Sequence, residues 1–192
     1  MPKMNNGKVY VCPVSHAWGL DNIFRRLLQD PLKILAPHVK DGMTVLDIGC
    51  GPGFFTVAMA ELVGDSGRVI ATDLQDGMLE KLGKKIRGTQ LEKRIMLHKC
   101  KEDSLNVPDK ADFALAFYMV HEVPDHKGFF NELFSVVKPS GKFLIVEPKV
   151  FHVSKKEFEK TVNAGVKAGF NALPGPGMFL GRTVILERPN NL

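Results

Sequence analysis

The stretch Val45-Leu46-Asp47-Ile48-Gly49-Cys50-Gly51-Pro52-Gly53-Phe54-Phe55, VLDIGCGPGFF, sets glycines on alternate positions between an apolar run and an aromatic pair. The apolar run reads as a buried strand, and glycines crowded where a strand turns into a helix let backbone come close to a ligand. A dinucleotide fingerprint requires Gly-x-Gly-x-x-Gly, with the last glycine letting the helix start near the strand and face pyrophosphate. That last position is Phe54 here, and the spacing is instead Gly49-x-Gly51-x-Gly53. Asp47, two residues before the first glycine, puts an anion beside the loop; it disfavours pyrophosphate and favours a cationic ligand.

Outward from this loop, short β-branched runs alternate with amphipathic segments, the pattern of a parallel sheet with helices on both faces. Thr44 to Ile48, Arg68 to Thr72, Ile95 to His98, Phe113 to Phe117 and Lys142 to Val146 read as strands one to five. Phe54 to Val63 opens the first crossover, and Met78, Leu79, Leu82 and Ile86 form the apolar stripe of the second. Lys138-Pro139-Ser140-Gly141 stops the helix before strand five. Ser154-Lys155-Lys156-Glu157 is a capping box, followed by Phe158, Val162 and Val166 at four-residue steps and closed by Gly169. Phe170 to Leu173 and Thr183 to Glu187 read as two strands joined by a loop around Pro174-Gly175-Pro176-Gly177, which makes them antiparallel. The expected fold is therefore α/β, a mostly parallel seven-stranded sheet with helices on both faces and a C-terminal antiparallel hairpin. Residues 1–40 form a cap or lid with short helices at Asp21 to Gln29 and Pro31 to Leu35, and residues 41–192 the ligand-binding domain of one unit.

At 192 residues and 44% hydrophobic content the chain can bury a core covered on both sides. No apolar run approaches a membrane span and the start, MPKMNNGK, is polar, so a soluble cytoplasmic protein is expected. Cys12, Cys50 and Cys100 make no Cys-x-x-Cys pair, which points to reduced thiols and to neither a disulfide framework nor a structural metal. The net charge of +5 is spread over helix faces, as at Lys81, Lys84, Lys85 and Arg87; no aromatics interleave with it, which argues against a nucleic-acid partner.

VLDIGCGPG resembles motif I of the class I S-adenosylmethionine-dependent methyltransferases, apolar-apolar-Asp/Glu-x-Gly-x-Gly-x-Gly, at every defining position. The resemblance implies that Asp47 organises the loop and the contacts to the methionine amino group, while Gly49, Cys50, Gly51 and Gly53 lie against the cofactor. Asp73 in RVIATDLQ ends strand two, where an acid accepts from both ribose hydroxyls. Alone it would suit NAD equally; the glycine spacing separates the two. Leu74 would pack on adenine, and Glu102 or Asp103, after strand three, would read the adenine amino group. ADFALAFYMVHEVPD resembles the family's segment after strand four, which puts Ala116 and Phe117 beside the reactive methyl. The resemblance covers residues 30 to 188 and extends to the broad group containing the ubiquinone and menaquinone C-methyltransferases.

A methyl on a sulfonium is already activated, so the protein must align the attack, exclude water and, for a weak nucleophile, take its proton. His121 is the leading general-base candidate, with Glu122 next and His16 and Glu147 behind them. Tyr10, His16, Trp18, Met178 and Phe179 are the expected apolar lid over the substrate mouth. Strand four is not followed by the Asn/Asp-Pro-Pro-Tyr of nucleic-acid amino-methyltransferases, and catechol-type metal ligands are missing. A small-molecule acceptor and S-adenosylhomocysteine as product follow, with no metal. The rival readings are an NAD-dependent oxidoreductase and a non-catalytic cofactor-binding subunit.

Overall fold

The computed structural model describes residues 29–149 and 153–190. Tyr10, Cys12, His16, Trp18 and nearly all of the expected helix at 21–29 lie outside them. Helix α1 (Pro31–Leu35) leads to β1 (Thr44–Ile48), α2 (Phe54–Leu62), β2 (Arg68–Asp73), α3 (Asp76–Ile86) and β3 (Ile95–Lys99). Then come β4 (Ala111–Phe117), α4 (His126–Val136), β5 (Val137–Pro148), α5 (Lys155–Lys167), β6 (Asn171–Pro174) and β7 (Gly181–Glu187), with short 3-10 turns at Gln90–Lys93 and Val120–Glu122.

Strands buried on both faces carry side chains that alternate between two cores. Val45, Phe113, Leu115, Leu144 and Val146 face one cluster, shared with Phe54, Met59 and Leu82 of α2 and α3 and with Leu35 of α1. Leu46, Ala114, Ala116, Phe143 and Ile145 face the other, against Phe130 and Leu133 of α4. The seven strands form one sheet in the order β3-β2-β1-β4-β5-β7-β6, with β7 antiparallel to both neighbours. The expected hairpin is present, but β7 is inserted between β5 and β6, which leaves β6 as the edge strand. Leu35 and Val39, from the segment expected to be a cap, are buried in the first core.

Two local readings are corrected. The turn-like Lys138-Pro139-Ser140-Gly141 does follow the end of α4, yet it lies inside β5, which starts five residues before the expected Lys142. Its polar backbone finds partners just past the end of β7: Ser140 N donates to Arg188 O at 2.9 Å and Arg188 N to Gly141 O at 3.0 Å. A register shift against β4 between Ala111 and Phe113 absorbs the irregularity. In α5 the capping box forms as expected, but Val166 is 46% exposed while Thr161 and Gly165 are buried. Four-residue steps overrun a 3.6-residue turn, so the stripe rotates off the sheet by its third member. The close contact is instead at Gly165, where a Cβ would lie 2.3 Å from Leu186 Cδ1.

The chain runs β1, β2, β3 toward one edge and returns to place β4 beside β1. In open α/β sheets, the crevice outside the carboxyl ends at such a reversal is where ligands bind.

Candidate functional site

A cavity of about 700 Å³ occupies that crevice, within the usual range for small-molecule sites. Its floor is the glycine loop after β1. Asp47 is 3% exposed and accepts a hydrogen bond from Thr56 Oγ1 of α2 at 2.6 Å, which ties the end of β1 to the first turn of the helix. Gly51 has φ +54, and a Cβ built there would meet nothing within 4 Å, so the loop presents bare backbone to open cavity. Gly53 serves a different need: it has φ +88, and a Cβ there would lie 2.4 Å from Leu82 Cδ1 of α3. It closes a helix–helix contact and does not line the cavity.

Asp73, the last residue of β2, is the loop's counterpart. One carboxylate oxygen accepts from Gly51 N at 2.9 Å and the other from Gln75 N at 2.8 Å. Burial pushes its pKa up; the backbone donors Gln75 and Gly51 and the charge of Lys99 offset only part of this. An ionised carboxylate offers about four acceptor positions, so two amide donors leave capacity for the hydroxyls of a diol. Cys50 and Cys100 also line the cavity as free thiols. Burial, followed by the charge of Asp47 and Asp73, raises Cys50 well above the ordinary thiol range, and burial with Asp73 raises Cys100 to about 11, so both are neutral thiols at pH 7.

The other walls come from Leu74 after β2, Glu102 and Asp103 after β3, and Phe117 at the end of β4. Ala116 is fully buried in the sheet and does not reach the cavity. Beyond β4, Tyr118 holds φ +60, rare for a bulky residue and a mark of locally over-determined backbone. Gln29 Nε2 donates to its hydroxyl at 2.9 Å, and that hydroxyl donates to Leu180 O at 3.4 Å. The phenol thus links the segment before α1 to the β6–β7 loop beside the cavity.

Glu122 lines the cavity, whereas His121 does not. His121 turns toward Glu147 of β5: Nδ1 lies 2.6 Å from Glu147 Oε2, and its backbone N donates to Oε1 at 3.2 Å. The Glu147 side chain is 1% exposed and that of His121 26%. Burial alone would lower the imidazole pKa, but the hydrogen bond and charge of Glu147, with added charge from Glu122 and Glu157, raise it overall. Of the expected lid, Met178 is packed against the first core and borders a shallower depression beside α5, and Phe179 is 91% exposed; neither lines the main cavity. Gln29, Tyr118 and Glu132 are cavity residues that sequence reasoning missed, since each is placed by a partner distant in the chain.

A family profile described as "Methyltransferase domain" matches residues 39–174. The chain belongs to that family. The methyltransferase domain is 32% identical over 169 residues to a demethylmenaquinone methyltransferase of Lactobacillus johnsonii, covering 86% of this chain and 64% of that protein. It is 27% identical over 167 residues to the ubiquinone/menaquinone biosynthesis C-methyltransferase UbiE of Cronobacter sakazakii, across 86% of this chain and 62% of the relative. The chain therefore spans somewhat less than two thirds of the length of these relatives. Among solved structures, a SAM dependent methyltransferase from Aquifex aeolicus superposes with TM-score 0.78 at 28% identity, over 92% of this chain and 98% of that one. A methyltransferase-fold protein from Methanococcus maripaludis, at 20% identity and TM-score 0.72, matches the fold over 99% of this chain and 98% of its own. The methyltransferase domain is thus a class I fold with its ligand crevice intact, and among the described residues no helix is long and apolar enough to cross a membrane.

Proposed function

We propose that the protein transfers a methyl group from S-adenosylmethionine to a small-molecule acceptor. The observation carrying this reading is the pairing of Gly51, whose bare backbone faces open cavity, with Asp73, whose carboxylate spans Gly51 and Gln75. Asp73 would hold the ribose hydroxyls, Leu74 the adenine face, Glu102 or Asp103 its amino group, and the Asp47–Gly51 loop the methionine end. When bound, the cofactor supplies an activated methyl on a sulfonium. Phe117 and Tyr118, whose rings lie 4.5 Å apart on the cavity wall, would shield it from water. Glu122 on the cavity wall, with the His121–Glu147 pair beside it, handles any proton the acceptor must lose.

The acceptor reading follows the relatives' names: a quinone-type head group of the kind they are named for is the first to test. Free thiols at Cys50 and Cys100 suit a reducing, cytoplasmic setting.

Titration calorimetry against S-adenosylhomocysteine and NADH tests the cofactor. Micromolar or tighter binding of the former with none of the latter is expected; the reverse pattern sinks the reading. Incubation with radiolabelled S-adenosylmethionine and a demethylated quinol then tests for transfer.

A further inference from the structure

We propose that Glu132 of α4 is a positioning residue for the loop that reads the cofactor's purine. The inference rests on the cavity being an S-adenosylmethionine site. The segment between β3 and β4, residues 100–110, contains no helix or strand, yet it must hold Glu102 and Asp103 at a defined place on the cavity wall. A loop of this length without its own hydrogen-bond ladder needs anchors from elsewhere.

Glu132 provides them. Its Oε1 accepts from Asn106 N at 2.6 Å and from Ser104 Oγ at 3.1 Å, while Oε2 accepts from Leu105 N at 2.9 Å. Bonds to an ionised acceptor are roughly twice as strong as neutral ones, and three of them converge on one side chain. Its base is rigid, because Phe130 and Leu133 on the same helix are fully buried against the sheet. On the loop side, Leu105 is 6% exposed and its carbonyl oxygen lies 2.9 Å from His98 Nε2, so the anchored stretch cannot slide. From there Lys101 N donates to Ser104 O at 2.8 Å, closing a tight turn whose two central residues are Glu102 and Asp103.

The chain of contacts therefore runs from the sheet through α4 and Glu132 to residues 104–106, and through the turn to the two acids. Removing the Glu132 carboxylate frees the turn without touching Asp73 or the glycine loop. The expected loss falls on recognition of the purine, and it should spare the ribose and methionine contacts.

The test compares S-adenosylhomocysteine with S-inosylhomocysteine, which replaces the exocyclic amino group by oxygen, on wild type, Glu132→Gln and Glu132→Ala by calorimetry. Wild type should prefer the adenosyl ligand. Glu132→Ala should bind it about tenfold more weakly, with little change for the inosyl ligand, so that the preference collapses. Glu132→Gln keeps one acceptor oxygen and should fall between; it carries the test if the alanine variant does not fold. Equal weakening of both ligands, or a preference unchanged in both variants, overturns the proposal, as does a wild type that does not discriminate. Wild type binding neither ligand would instead sink the cofactor reading, and this proposal with it.

Discussion

At the scale of single residues, the His121–Glu147 pair is where burial and charge compete most directly. Burial lowers the imidazole pKa and the neighbouring carboxylates raise it, with the net shift upward. A histidine whose folded pKa lies above its unfolded value contributes stability fully below the unfolded value, about 6.5, and loses it as pH rises through the folded value. Glu147→Gln should therefore cost about 1.5–3 kcal/mol near pH 6, the range for a hydrogen bond to a charged group, and distinctly less near pH 9. The His121 titration midpoint followed by NMR should fall in the same variant. A stability gap independent of pH, or an unmoved midpoint, would contradict the assignment. Asp47, Gly51 and Asp73 were legible in the sequence because a strand end and a tight turn fix them locally. Glu147 read as a lesser base candidate, and no local pattern shows that its carboxylate is consumed by His121, twenty-six positions earlier in the chain.

Among elements, the glycine loop and α2 separate two roles that the sequence places under one motif. Gly51 and Gly53 are both left-handed, but only Gly53 has its missing side chain against another helix. Gly51→Ala should cost about 1–2 kcal/mol for the left-handed backbone alone. Its new methyl would project into the cavity, so binding of S-adenosylhomocysteine should suffer more than stability does. Gly53→Ala combines the same strain with overpacking against buried Leu82 and should cost about 3 kcal/mol or more. Thermal denaturation and calorimetry on the two variants would separate these effects, and equal stability losses would refute the distinction. The same physics explains what was hidden in other elements. Polar turn residues 138–141 became strand because Arg188, just past β7, offered backbone partners to Ser140 and Gly141, and Val166 left the buried face because its spacing outruns the helical period. Both outcomes depend on neighbours that local periodicity does not contain.

For the molecule as a whole, the site is assembled from the ends of β1, β2 and β4, the loop after β3, helix α4 and Gln29, so ligand binding should stabilise the entire domain. The parallel order with its antiparallel close was readable from alternating periodicities and the short Pro/Gly loop; the insertion of β7 beside β5 was not, since either hairpin strand could have occupied that edge. With S-adenosylhomocysteine at a hundred times its Kd, linkage adds about 2.7 kcal/mol. For a chain of this size that corresponds to a rise in Tm of about 5–10 °C. The rise should depend on pH in a set direction. Burial holds the Asp73 pKa above its ordinary value of 3.8 in the ligand-free protein, while hydroxyl donors from a bound ribose favour the ionised form. Binding therefore releases a proton once Asp73 is partly protonated, and affinity falls as pH drops through the raised value. At fixed ligand the Tm increment should shrink as the pH is lowered toward the carboxylate range, with the loss setting in above the ordinary value of 3.8. Asp73→Asn should bind weakly at every pH and lose this slope. A slope that survives in Asp73→Asn would place the titrating group elsewhere and remove Asp73 from the ribose contact.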